Sequence, residues 1–186
     1  MVPIFSLWLP ILLSAVVVFV ASAVMHMVLP YHRKDFGPVP GEDGLMDALR
    51  KAGVPPGDYM IPFCGDPAKM KDPAFQEKLK KGPMAVMTVM PPGSTNMTSN
   101  LVQWFLYLVL VGFLVAYITG HAVEPGGRYL TVFRFAGATA FIAYSMAHWQ
   151  NSIWFHLSWS TTLKNTIDGL VYGVLTAGIF GWLWPR

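Results

Sequence analysis

Four side chains could bind a metal ion or transfer a proton: His26, His148, His156 and Asp168. Imidazole nitrogens and carboxylate oxygens are ligands for transition metals, and histidine changes charge near neutral pH. All four lie near ends of apolar segments that the topology predicted below brings to one membrane face. The spacing of His148 and His156 does not match the i, i+4 pair of a helical metal site. We therefore favour ordinary hydrogen-bonding side chains at the interface, with a metal or proton site as the alternative.

Asp168 also has a simpler interpretation, because Lys164 precedes it by one helical turn. Residues four apart lie on one face of a helix, and a carboxylate near the helix start complements the helix dipole. The spacing predicts a Lys164–Asp168 ion pair.

The composition is that of an integral membrane protein. Of 186 residues, 54% are hydrophobic and only 12% are charged, which is too apolar for an ordinary soluble domain. Most basic residues lie within 33–81, intermixed with almost as many acidic ones. This mixture does not favour nucleic acid as a partner. The single cysteine, Cys64, excludes an intrachain disulfide.

Apolar runs and their Gly/Pro boundaries predict an all-α membrane protein with four transmembrane helices. A small, partly helical α+β subdomain is expected in the loop between helices one and two. The predicted segments are transmembrane helix one (1–30), the loop subdomain (31–99), helix two (100–120), an external turn (121–128), helix three (129–149), an interfacial link (150–164), and helix four with the C-terminus (165–186).

The loop contains start and stop signals for short elements. Helices are predicted over 45–52 and 73–81, the second opened by Asp72 and closed by Gly82. Apolar stretches at 58–63 and 84–90, bounded by Pro and Gly, predict two strands.

Small residues recur at near-helical spacing on the last two helices, which predicts that these helices pack closely against each other. The residues assigned to this contact are Gly169, Gly173, Ala177 and Gly181 on helix four, and Ala136, Ala140, Ala143 and Ala147 on helix three.

These features favour a non-catalytic membrane protein, acting as an accessory or structural subunit of a membrane complex or homo-oligomer. The expected partners are the lipid bilayer and other membrane subunits or further copies of the chain, and no cofactor is predicted. The alternatives are a membrane enzyme or metal/proton site built from the interfacial histidines, and an oligomeric channel or transporter. The basic residues that follow helix one, from His32 to Lys34, place the loop in the cytoplasm and both termini outside. The expected location is a bacterial inner membrane.

Overall fold

Three helices are long and apolar enough to cross a membrane in this computed structural model, which describes residues 1–94 and 96–186. The first runs over Ile4–Val28 and contains a 3-10 turn, α1 (Trp8–Ala23) and a π-helical turn (Val24–Val28). The second is α4 (Met97–Ala122) and the third is α5 (Tyr129–Phe155). A multi-pass membrane protein is therefore compatible with the structure.

A fourth long helix, α6 (Trp159–Trp182), is not among these three. Its first turns carry Lys164, Asn165 and Asp168, which lower its hydropathy. Residues 150–164, predicted as an interfacial link, are mostly helical because α5 continues to Phe155 and α6 starts at Trp159. The aromatic and polar side chains of this segment are compatible with a helix, and only a short break at His156, in the left-handed conformation, separates the two helices.

The helices form a ring in which the main neighbours are α1 with α4, α4 with α5, α5 with α6, and α6 with α1. This bundle belongs to one compact unit, Met1–Gly37 together with Met97–Arg186, and the segment Pro38–Asn96 forms a second. Apolar side chains on the outer faces are exposed, as on Leu106, Ile142 and Leu170. Such an outer surface suits hydrocarbon rather than water.

The second unit contains α2 (Glu42–Lys51), β1 (Gly57–Ile61), α3 (Pro73–Lys81) and β2 (Ala85–Val89). The strands pair antiparallel, with Tyr59 opposite Met87. The two predicted strands are therefore present and slightly shorter than expected. The Asp72 side chain accepts a hydrogen bond from the Ala74 N–H and opens α3, as the sequence predicts.

The pair α5–α6 has the most extensive contact of the bundle. A Cβ atom at Gly173 would lie 3.2 Å from backbone atoms of Gly137 and Phe141, so this glycine lets the two backbones approach closely. At Gly169 a Cβ would collide with the Ser145 hydroxyl.

The α5 atoms nearest to these two glycines belong to Gly137, Phe141, Tyr144 and Ser145. Among the predicted alanines, Ala136 and Ala140 are fully buried, Ala143 is partly buried and Ala147 is exposed. The packing of this alanine stripe against α6 stays a prediction.

Candidate functional site

A buried carboxylate on α6 organises the candidate site. The Asp168 side chain is 4% exposed and lies in the second half of the polar stretch that opens α6. Its Oδ2 atom accepts a hydrogen bond from His32 Nε2 at 2.8 Å, and its Oδ1 atom accepts one from the Tyr31 hydroxyl. Burial of a charge requires such partners, because the lost hydration must be replaced.

Pro30 explains why Tyr31 and His32 reach α6. Leu29 is extended, and Pro30 begins a 3-10 turn over Pro30–His32 directly after the first membrane helix. Proline fixes φ and cannot donate a backbone hydrogen bond, so the chain changes direction at this point. Burial raises the pKa of the Tyr31 phenol, and the hydrogen bond to Asp168 and the charge of that carboxylate raise it further. Tyr31 is therefore a hydrogen-bond donor across the neutral pH range.

A second, partly buried carboxylate extends the cluster. Asp35 Oδ2 lies 2.6 Å from His32 Nδ1, and Asp35 Oδ1 accepts a hydrogen bond from Lys164 Nζ at 2.5 Å. Burial alone would raise the pKa of Asp35, but the hydrogen bonds and positive charges of Lys164 and His32 outweigh it and hold the pKa below its ordinary value. Asp35 is thus a carboxylate at neutral pH.

His32 therefore lies between two carboxylates, with one ring nitrogen facing each. The imidazolium form can donate both hydrogen bonds, whereas a neutral ring would present one lone pair to a carboxylate oxygen. With His32 in that form, the positive charges of His32 and Lys164 balance Asp35 and Asp168.

His26 completes the cluster from the π-helical turn Val24–Val28. Its Nδ1 atom lies 3.0 Å from the backbone oxygen of Ser22, and its Nε2 atom lies 3.7 Å from Asp168 Oδ2. The ring stacks on His32 with centroids 4.3 Å apart and planes 8° apart. The side chain is half-exposed, so it is the most accessible member of the cluster.

The cluster borders a cavity of about 850 Å³ at this end of the bundle. Its volume lies within the range of about 300–1,000 Å³ that is typical of small-molecule sites. The lining residues are Phe19, Ser22, Ala23, His26, Met27, Met97, Asn100, Leu101, Gln103, Trp104, Tyr107, Tyr144, His148, Asn165, Asp168 and Tyr172.

Aromatic rings in mutual contact form part of the cavity wall. Trp104 stacks on Tyr107 at 5.4 Å between centroids, and Tyr144 meets Tyr172 edge to face at 5.5 Å. The Trp104 indole N–H donates to the Ser22 hydroxyl at 2.9 Å, which fixes the ring against α1. Such contacts hold these large side chains in defined positions along the cavity wall.

The predicted histidine cluster is brought together only in part. His26 and Asp168 lie in the cluster, and His148 lines the same cavity. His156 occupies the left-handed position that ends α5 and is not among the cavity-lining residues. His156 is eight residues after His148 and directly follows Phe155, the last residue of α5.

The structure also differs from the sequence prediction in the partners of Lys164 and Asp168. In the described chain, Lys164 bonds to Asp35 and Asp168 bonds to His32 and Tyr31. Sequence reasoning missed Tyr31 and Asp35 as members of the site, and it uses His32 only as part of the basic run that orients the loop. The available signal was the dense run Tyr-His-Arg-Lys-Asp directly after Pro30.

No protein-family model, curated protein or solved structure matches this chain.

Proposed function

We propose that the chain is a four-helix integral membrane protein that binds a single-chain amphiphile from the surrounding membrane. The observation that carries this proposal is the cavity of about 850 Å³, which combines apolar and aromatic walls with a few polar side chains. An acyl chain suits the apolar walls. Amide groups of Asn100, Gln103 and Asn165 provide hydrogen bonds for an uncharged hydroxyl or carbonyl head.

The distribution of polarity on α6 supports its role as the fourth span. Lys164 pairs with Asp35 and Asp168 pairs with His32 on the inner side of α6, whereas Ile167, Leu170 and Val174 are exposed on the outer face. Charged residues within membrane proteins face the bundle interior and pair with one another, as they do here.

Retention of lipid by the purified protein tests the proposal. Native mass spectrometry after extraction in mild detergent is expected to detect one amphiphile per chain. Ala23 lines the cavity, so the bulky ring of Ala23→Trp should obstruct it and sharply reduce retention. Val20 is 56% exposed on the outside of the same helix, so Val20→Trp is the matched control and should retain the amphiphile.

Equal retention by the two variants would contradict the proposal, as would a wild-type protein that carries no amphiphile. Thermal unfolding of both variants must remain close to that of the wild type, which separates loss of the cavity from loss of the fold.

The accessory-subunit, homo-oligomer and channel hypotheses stay predictions. Size-exclusion chromatography with light scattering in mild detergent tests assembly, since monomers without accompanying chains would contradict it.

The cytoplasmic position of residues 31–99 also stays a prediction. A reporter fused after Arg186 should be active outside the cytoplasm, and cytoplasmic activity would reverse the orientation.

A further inference from the structure

We propose that His26, His32 and Asp168 bind a divalent transition-metal ion at the border of the cavity. This inference goes beyond the binding of an amphiphile and does not depend on it. The first argument is convergence, because the nearest ligand atoms of the three side chains lie within 4.8 Å of one another.

The distances are close to those of a metal centre. Ligand atoms bound to Zn²⁺ at about 2.0–2.1 Å lie about 3.3–3.4 Å apart when the angle at the metal is near tetrahedral. Asp168 Oδ2 lies 2.8 Å from His32 Nε2 and 3.7 Å from His26 Nε2. Small shifts of the side chains therefore suffice to place one ion between the two imidazoles and the carboxylate.

The second argument is the support of each imidazole by its other nitrogen. His32 Nδ1 is held by Asp35, and His26 Nδ1 by the backbone oxygen of Ser22. Metal-binding histidines characteristically donate this second N–H to a carboxylate or a backbone carbonyl, which fixes the tautomer and directs the remaining lone pair to the ion. Both rings here direct Nε2 to the same carboxylate oxygen.

Lys164 completes this arrangement by neutralising Asp35 at 2.5 Å. The ion would take the place of the proton between His32 Nε2 and Asp168. His26 must tilt out of its parallel stack on His32, and it can do so because its side chain is half-exposed. The π-helical turn that carries His26 is a feature often found at functional sites.

The donor set indicates the class of metal. Two imidazole nitrogens with one carboxylate oxygen suit Zn²⁺, Fe²⁺ or Co²⁺, whereas Mg²⁺ and Ca²⁺ prefer oxygen ligands. His26 and Asp168 both line the cavity, so a further coordination position would face it. A molecule in the cavity could then reach the ion.

Metal binding can be measured on the full-length protein in detergent. After treatment with a chelator, loading with Co²⁺ or Zn²⁺ is expected to give one ion per chain by elemental analysis. Bound Co²⁺ should show the visible absorption of a site with nitrogen and oxygen ligands. Mg²⁺ should neither bind at this stoichiometry nor displace Co²⁺.

Variants at His26 provide the sharpest comparison. His26→Ala removes one ligand but leaves the Asp35–His32–Asp168 network in place, so it should lose stoichiometric binding while remaining folded. His148→Ala changes another histidine of the same cavity and should bind like the wild type. Asp35→Asn should weaken binding by about 10–100-fold, the usual effect of removing a supporting carboxylate.

Two results would overturn the proposal: absence of stoichiometric Co²⁺ and Zn²⁺ in the folded wild-type protein, or equal binding by His26→Ala and His148→Ala. In either case the cluster would be an ion-pair network that joins α6 to the segment after α1. Amphiphile retention would be unaffected by that outcome, because the Ala23→Trp test does not involve the metal.

Discussion

Different kinds of contact hold the two ends of the helical bundle together. At the packed end, where α4 ends and α5 begins, backbone groups meet directly: Val2 N–H donates to Gly120 O at 2.8 Å, and Gly126 N–H donates to Pro185 O at 2.8 Å. The Trp184 indole N–H also donates to Glu124 O at 3.0 Å. At the cavity end, where α4 and α6 begin, stacked aromatic rings and ion-paired side chains border the cavity.

This difference shows two ways in which one bundle holds its helices together. At the packed end, Gly120 lets the backbone of the N-terminal segment approach α4 closely. At the cavity end, α5 and α6 still pack closely at Gly169, and hydrogen bonds and ion pairs join α6 to the segment after α1 beside a half-open cavity. The cavity end thus depends on polar pairs as well as on close packing.

The largest expected effect is the loss of a charge at the cavity end. In Lys164→Met, the partly buried Asp35 carboxylate loses its ammonium partner and keeps only its hydrogen bond with His32. Breaking one side of a fully buried pair costs about 3–5 kcal/mol; because this pair is partly buried, we expect a loss near the lower end of that range and a clearly lower temperature of thermal unfolding in detergent. Lys34 is exposed, and Lys34→Met is the control expected to change stability by no more than about 0.5 kcal/mol.

The double variant Lys164→Met/Asp35→Asn sharpens this test, because it removes both charges and should recover part of the lost stability. Equal stability of Lys164→Met and Lys34→Met would show that the ion pairs do not hold the cavity end together.

An intermediate effect is expected where α5 and α6 pack backbone to backbone. Gly173→Leu forces a side chain against Gly137 and Phe141 and should cost about 1–3 kcal/mol by overpacking. At Gly178 the nearest atom to an added Cβ is the Tyr129 hydroxyl at 3.8 Å, so Gly178→Leu is the matched control on the same helix. Thermal unfolding should separate the two variants, and similar unfolding temperatures would contradict the close packing assigned to Gly173.

The smallest effect is expected from filling the cavity slightly. Ala23→Leu adds methyl groups beside an open volume and should change the free energy of unfolding by no more than about 0.5 kcal/mol. Ala15 lies on the same helix and is 1% exposed in the core, so Ala15→Leu should cost about 1–3 kcal/mol. Denaturant or thermal unfolding of the pair compares the two environments, and equal losses would mean that the cavity end is packed as tightly as the core.

Much of the secondary structure follows from the sequence because its signals are local. Asp72 and Gly82 bound α3 as predicted; β2 lies within its predicted apolar stretch, and β1 overlaps its own but begins one residue earlier. The end of α5 was missed because Trp154 and Phe155 suit both a membrane interface and a helix. Local patterns do not distinguish these alternatives.

The site was predictable only in part, because its members come from distant parts of the chain. Asp168 and His26 were identified as ionisable residues near helix ends, but the pairing of Asp35 with Lys164 depends on the turn at Pro30 and on the position of α6. Sequence spacing predicts contacts within one helix, such as the i, i+4 ion pair of Lys164 with Asp168. In the folded chain, Lys164 pairs with Asp35 and Asp168 pairs with His32 instead.

The pairing of Asp168 has a consequence for how this chain enters a membrane during synthesis. Charged residues make the partitioning of an isolated helix into lipid unfavourable, and α6 carries two near its start. The groups that compensate them, His32 and Asp35, follow the first apolar helix and are therefore synthesised before α6 emerges. With α6 as the proposed fourth span, its integration would depend on the segment after α1 already being in place, and the two ion pairs between these distant parts of the chain would set the order of assembly.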